Sequence, residues 1–396
     1  MSGMPFDAAV IGGGPAGCSA AITLAQRGAH VVMLEAGGYP AHKVCGDFLS
    51  PECITLLEQL GAANAIRALG PVPITTVELT APSGARWESS LPGTAWGISR
   101  GALDAALAAH ARQSGVDVRK QATVTDVQGS LDTGFTLAVR GAEPVRARVV
   151  IAAHGKRSAL DRVLARPFLE RRQSFVALKA HFSGPPLPER IELHGFPGGY
   201  CGLSEIEGGA ANMALLVRQS TFRRAAGDPA DIERFIEWMA AQNPRLGAWL
   251  AQAERISPRW LSIAQVAFVD KQPVERELVM AGDAAGLIPP LAGDGVAMAL
   301  YGGQMAGQHV ADFLAWMRAP RDLGDSYAAD WRRVFGSRLR LARALQPIMF
   351  RPYLLAPLLH VVAAVPPLGR YLINHTRDTR LISRSAATHP QPDPAV

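Results

Sequence analysis

Cysteine is scarce in this 396-residue chain, and Cys18, Cys45, Cys53 and Cys201 show no short paired spacing. That excludes a zinc site of ordinary ligand spacing and a disulfide-stapled scaffold, and it leads to the expectation of reduced thiols in a cytoplasmic protein. Charged residues make only 19% of the chain and aromatics 7%, while 48% is hydrophobic and no long biased tract interrupts it. Extended disorder is thereby excluded over most of the length, and only residues 386–396, ending in His-Pro-Gln-Pro-Asp-Pro-Ala-Val, are expected to form a flexible tail. No basic stretch precedes the apolar N-terminus, so a secretion signal is not expected. A membrane-spanning helix needs roughly 20 uninterrupted apolar residues. The one candidate stretch, near the C-terminus, is broken by Pro347, Pro352, Pro357, Pro366 and Pro367.

What charge there is lies unevenly. Residues 331–396 hold ten Arg and no Lys against two acids, Asp378 and Asp393, a surplus that exceeds the net +6 of the whole chain and leaves the remainder near neutral. Two arrangements suit such a segment: helices packed on the body with a solvated Arg face, or peripheral contact with an anionic membrane surface. Its Leu, Pro and Val content favours lipid over bases, so no nucleic acid is expected as a partner. A chain this long outgrows a single core, since cores stop growing near roughly 250–300 residues, and two joined domains are expected.

The first of these opens with a short apolar strand, Asp7 to Ile11, running into Gly12-Gly13-Gly14-Pro15-Ala16-Gly17 and a small-residue helix, Cys18 to Arg27. This is a glycine fingerprint in the strand–turn–helix context that gives it meaning. Gly12 permits the tight turn, Gly14 admits a pyrophosphate close to the backbone, and Gly17 lets helix and strand pack closely. Phosphates would then sit on unpaired amides at the helix N-terminus, alongside Pro15 and Ala16. A second strand, Ala29 to Leu34, ends in Glu35 and Ala36, placing a carboxylate 18 residues after Gly17 where it can bind an unphosphorylated ribose.

That unit alone does not separate FAD from NAD. Farther along, Leu278-Val-Met-Ala-Gly-Asp283-Ala-Ala-Gly286 reads as a buried strand entering a turn, and Pro289-Pro-Leu-Ala-Gly293-Asp294-Gly295 opens an apolar helix from Val296. Together with the fingerprint, these segments resemble the geranylgeranyl reductase family within the para-hydroxybenzoate hydroxylase-like flavoproteins. The resemblance covers about the first 330 residues and implies FAD as cofactor, with NADPH or NADH as reductant. It implies that Asp283 binds the ribityl chain and that amides from Gly293 through Gly295 to Val296 face the flavin pyrimidine edge, where the positive end of a helix stabilises reduced, anionic flavin.

Further matches extend it. Arg100-Gly-Ala-Leu-Asp104 resembles the family's R-x-x-x-D helix start, which implies that Arg100 reaches the FAD. Ala153-His154-Gly-Lys-Arg-Ser158 stands where relatives carry Ala-Asp-Gly-x-x-Ser, and His154 replaces the acid. Lys43-Val-Cys45-Gly46 resembles the K-x-C-G loop that implies a cysteine beside the flavin pocket. Ser50-Pro51-Glu52 reads as a helix N-cap with Pro at the first helical position. Gly198-Gly-Tyr200-Cys-Gly-Leu203 falls where lipid-reducing relatives carry Tyr-x-Trp; Tyr200 is kept and Gly202 replaces the tryptophan. Cys45 and Tyr200 are the candidate catalytic residues.

Strand periodicity over Thr75 to Leu91, with a turn at Ser83-Gly84, over Phe175 to Phe182 and over Arg190 to Val217 predicts an antiparallel sheet above the flavin. His181 and His194 are expected at solvated positions of that sheet. The predicted fold is α/β: a Rossmann-type FAD-binding domain (1–72, 95–170 and 265–325) with an inserted antiparallel β-sheet substrate domain (73–94 and 171–264), then a C-terminal helical region (326–385). The activity implied is an FAD-dependent oxidoreductase acting on a hydrophobic small molecule, by hydride transfer from flavin N5 to a carbon–carbon double bond. The alternative is a monooxygenase working through a C4a-hydroperoxide. No metal ligand set is expected.

Overall fold

The structure is a computed structural model describing residues 6–171, 174–266, 268–316 and 319–375; residues 386–396 and the three last arginines of the basic segment, Arg377, Arg380 and Arg384, lie outside it. Phe6–Ile11, Val31–Leu34, Val145–Ala152 and Leu278–Met280 each hold unbroken buried stretches. Strands covered on both faces require such runs, and strands with one wet face do not. They lie parallel in the order Leu278–Met280, Val145–Ala152, Phe6–Ile11, Val31–Leu34, Asp117–Arg119. Residues nearly 130 apart in sequence, Ile151 and Val279, become partners in this sheet. On one face the helices Pro15–Gln26 and Gly295–Trp316 pack together, fastened by Ser19, whose Oγ donates to the Leu300 carbonyl at 2.6 Å.

The second sheet contains nine strands among the described residues. Its inner members are Phe175–Ser183, Ala211–Arg218, Gly199–Glu205 and Arg190–Phe196, each antiparallel to the next. Val72–Thr80 and Arg86–Gly97 form the predicted hairpin, but Val72–Thr80 runs parallel to Arg190–Phe196. The sheet is therefore not wholly antiparallel. Those two strands are separated by helices and strands of the nucleotide domain, a crossover long enough for parallel pairing, whereas Arg190–Phe196, Gly199–Glu205 and Ala211–Arg218 follow one another through short connections that reverse the chain. Phe48–Leu49, at the end of the cysteine loop, also adds to this sheet.

Alternation divides the sheet's residues between two cores. Val176, Leu178, Ala180 and Phe182 face one side with Cys201, Leu203, Met213 and Leu215, where the helices Gln219–Ala226, Ile232–Gln242 and Pro244–Leu250 cover them. Ala177, Tyr200 and Leu216 face the other way, toward the nucleotide domain and the C-terminal helices.

His181 and His194 contradict the expectation of solvated positions: they are 9% and 0% exposed. Alternation predicts which side they face but not what lies over it, and here partners cover both. His194 Nδ1 lies 2.8 Å from Thr80 Oγ1, and its Nε2 is 3.1 Å from Glu192. Glu192 and Glu78 are register partners across the parallel pair, like charges face to face. Arg245 offsets that repulsion, reaching Glu78 at 3.0 Å and Glu192 at 2.9 Å. Burial raises the Glu192 pKa, but hydrogen bonds from His194 and Arg245 outweigh it and hold the carboxyl down at about 2.

The C-terminal region consists of the long helix Pro320–Met349 and the shorter Pro352–Ala364 and Pro366–His375. Tyr327 anchors the long helix to the first sheet by donating to the Met280 carbonyl at 2.6 Å. Among the described residues no single helix is long and apolar enough to cross a membrane; Arg321–Met349 and Pro352–Ala364 meet at a 113° bend.

Candidate active site

The carboxyl ends of the parallel strands converge on the fingerprint. Gly12 has φ of 101°, and a Cβ there would lie 2.4 Å from the Ala153 carbonyl oxygen; a Cβ on Gly17 would lie 1.8 Å from that of Gly12. Only glycine fits either position, which turns the backbone sharply and brings the helix against the strand. The helix starts at Pro15 with Gly14 as N-cap and no side-chain cap, so its first amides keep their capacity for an anion. Glu35, at the end of the second strand, accepts from the amides of Gly13 at 2.7 Å and Gly37 at 2.9 Å, with Ala36 exposed between them. Tyr39, which the sequence reading passed over, donates its hydroxyl to the Gly13 carbonyl at 2.7 Å and clamps the loop over the fingerprint.

From there a cleft of about 1400 Å³, its open mouth included, runs between the two sheets. Gly14, Pro15, Ala16 and Arg100 form its end at the first helix. Gly46 and Asp283 flank the middle, and Gly293, Gly295 and Val296 form the far corner. Cys45 and Tyr200 both line it, from the loop and from the sheet. Glu35 and Asp283 thus stand at carboxyl ends of strands in one sheet, on either side of the fingerprint.

Arg100 follows the N-cap Ser99, whose Oγ accepts from Ala102 N. Its guanidinium grips Asp104 one turn on, at 2.8 Å and 2.7 Å, with Nη2 directed at the space above Gly14. Burial alone would lower the Arg100 pKa; the Asp104 carboxylate overrides it and raises it, so the cation is fixed where phosphates would lie. Arg100 donates its backbone N–H to Asp47 at 3.3 Å.

Asp47 belongs to a buried cluster without an obvious sequence signal. Its carboxylate takes an ion pair from Lys179 and lies 3.1 Å from His181 Nε2, both on the strand Phe175–Ser183. The loop carrying Cys45 is thereby tied to the second sheet, with Asn212 also reaching the Cys45 carbonyl at 3.4 Å. Lys43 stays exposed on that loop, as does His42, whose ring stands edge-on to that of His181 at 4.9 Å. Spacing could not have revealed the triad, because more than 130 residues separate Asp47 from its partners. Ser50 does cap the next helix by position, with Pro51 first, but its hydroxyl faces Cys53 at 3.7 Å rather than an amide.

At the other wall, His154 is a hydrogen-bonded turn residue: Nε2 lies 3.0 Å from Asp161, whose carboxylate also receives Arg166 and the Ser158 amide. Burial raises the Asp161 pKa, but these contacts, that of His154 first, bring it down to about 2. Lys271 donates to the carbonyls of Lys156 and Asp283, joining this turn to the Asp283 strand end. Burial lowers its pKa to about 8.

Glycines that no side chain could replace, uncapped helix amides, a fixed cation and a strand-end carboxylate at each side fit a flavin dinucleotide. The first helix and Arg100 would hold the phosphates, Glu35 the adenosine ribose, Asp283 the ribityl chain and the Gly293–Val296 corner the ring. Residues 6–340 match the FAD binding domain family, and the chain belongs to it. Within that family it is a geranylgeranyl reductase-like, FAD-dependent oxidoreductase.

Among its relatives are menaquinone reductase of Mycolicibacterium smegmatis, 28% identical over 76% of this chain and 75% of that one. Digeranylgeranylglycerophospholipid reductase 2 of Methanopyrus kandleri is 27% identical over 86% and 85%. Solved structures with the same fold include the flavin-dependent brominase Bmp2, with a TM-score of 0.77 and 18% identity over 97% of this chain and 99% of that one. The flavin-dependent halogenase CmlS has a TM-score of 0.75 and 21% identity over 98% and 71%.

Proposed function

We propose that the protein reduces a carbon–carbon double bond in an isoprenoid-bearing, hydrophobic small molecule. One observation carries this reading: the sheet wall facing the Asp283–Val296 corner is apolar, formed by Ala177, Leu193, Gly202 and Leu216, with Tyr200 its one polar side chain among the described residues. The two relatives named above act, by their names, on menaquinone and on a geranylgeranylated phospholipid, and both compounds carry isoprenoid chains. Bound and reduced FAD supplies the hydride. Tyr200 supplies the proton from its hydroxyl, and burial, which pushes its pKa up, keeps the phenol protonated at neutral pH. Water reprotonates the phenolate left behind. Cys45 lines the opposite side and shapes the pocket. NADPH or NADH is the proposed source of electrons.

Geranylgeraniol presented to the reduced holoenzyme under nitrogen tests the reaction. A product heavier by one hydrogen molecule supports reduction; a product that appears only with dioxygen, and carries an oxygen atom, replaces it with the monooxygenase reading.

Contact with a membrane surface belongs to the same proposal. The helices Pro352–Ala364 and Pro366–His375 expose Tyr353 (70%), Tyr371 (55%) and Val361 (48%), and Val365 (47%) between them, with Arg351 and Arg370 also exposed. An apolar face bordered by arginine suits the interface of an anionic bilayer. Flotation with phosphatidylserine vesicles at low salt, lost at high salt or with neutral vesicles, supports it; no flotation at low salt refutes it.

A further inference from the structure

A second cavity, about 790 Å³ with its open mouth, lies between the outer end of the second sheet and the three C-terminal helices. Its lining is aliphatic almost throughout: Val77 and Leu79 from the sheet side, Ile348 from the long helix, Leu358 and Val362 from the next, and Leu372 from the last. The mechanism above uses none of it. Leu193 lines both this cavity and the flavin cleft, and Leu291, beside Pro290 and Gly293 of the cleft, lines this one. A thin apolar partition therefore separates the two spaces, next to the Tyr200 ring, which stacks on Phe350 at 5.9 Å. Facing the other way, the helices that roof the cavity turn Tyr353, Val361 and Tyr371 to the exterior.

We propose that this cavity is a chain site: it takes the distal part of an isoprenoid substrate whose reacting double bond lies at the flavin, and the chain passes Leu193 and Leu291 to reach it. This deepens the reading of the active site given above and rests on it. Apolar walls without polar partners exclude a hydrated or charged ligand and reward each buried methylene. Entry through the roof places the substrate's exit from a bilayer directly over its binding site.

The FAD-loaded protein is tested with geraniol, farnesol and geranylgeraniol, binding being read by equilibrium dialysis and by perturbation of the visible flavin bands. Affinity is expected to rise along the series. Leu358→Trp, which fills the cavity from its roof, should weaken geranylgeraniol by about tenfold or more while leaving geraniol unchanged. Leu372→Trp, from a different helix, repeats the test should the first variant fail to fold, and flavin content reports folding in both. If geraniol binds but affinity does not grow with chain length, or if both variants weaken all three alcohols equally, the chain site is overturned and the active-site reading stands. If none of the alcohols binds, both fall together.

Discussion

Lys179→Met removes the cation from a deeply buried ion pair of the active-site region. The Lys179 and Asp47 side chains are 1% and 0% exposed, so Asp47 would be left in the interior with His181 Nε2 at 3.1 Å and the Arg100 amide at 3.3 Å. Breaking such a pair from one side costs about 3–5 kcal/mol, because an uncompensated charge stays buried. His181 still contacts Asp47, which places the expected loss near the lower end, about 3 kcal/mol. Asp47→Asn should cost a similar amount by leaving Lys179 without its counter-charge. The double variant removes both charges, so its loss should fall short of the sum by at least about 2 kcal/mol. Urea unfolding of the four FAD-loaded proteins, followed by tryptophan and flavin fluorescence, measures this. The flavin signal should be lost earlier than the tryptophan signal in both single variants, since the triad ties down the loop bearing Cys45. A coupling energy below about 0.5 kcal/mol would show that the triad does not act as a unit and would refute the argument.

Three further outcomes are expected. Gly17→Ala sets a methyl group 1.8 Å from the Gly12 carbonyl oxygen, so the purified variant should lack the visible flavin bands; a yellow protein with full FAD content contradicts the fingerprint geometry. Asp161 and Glu192 are both held at about 2, below their unfolded values, so the stability they contribute is present above about pH 4 and is lost as pH falls toward 2. Glu192→Gln should therefore differ most from the parent at neutral pH and converge with it in acid, as followed by thermal melts across that range. Tyr200→Phe removes a buried hydroxyl that makes no ordinary hydrogen bond, so stability should change by less than about 1 kcal/mol while turnover under nitrogen falls sharply; undiminished turnover removes Tyr200 as the proton donor.

The nucleotide site was legible in the sequence because its parts are local. Gly12 to Gly17, Glu35 and the Asp283 to Val296 corner each depend on a strand, a turn and a helix start adjacent in the chain, and the backbone demands particular residue types at each step. Pairing between Val145–Ala152 and the strands Phe6–Ile11 and Leu278–Met280 then brings the pieces to one edge. Strand periodicity likewise fixed which residues of Phe175–Ser183 share a face. What covers a face is a long-range matter, and there only the tertiary structure decided. It buried His181 and His194, which alternation alone left to solvent, and it joined Asp47 to Lys179 across 132 positions. It paired Glu78 with Glu192 and placed Arg245 over both, and it laid the C-terminal helices so that an aliphatic cavity adjoins the flavin cleft. Sequence determines a local conformation through steric and hydrogen-bonding rules that reach a few residues, whereas a side chain's burial and charge partners depend on which distant segments come to rest against it.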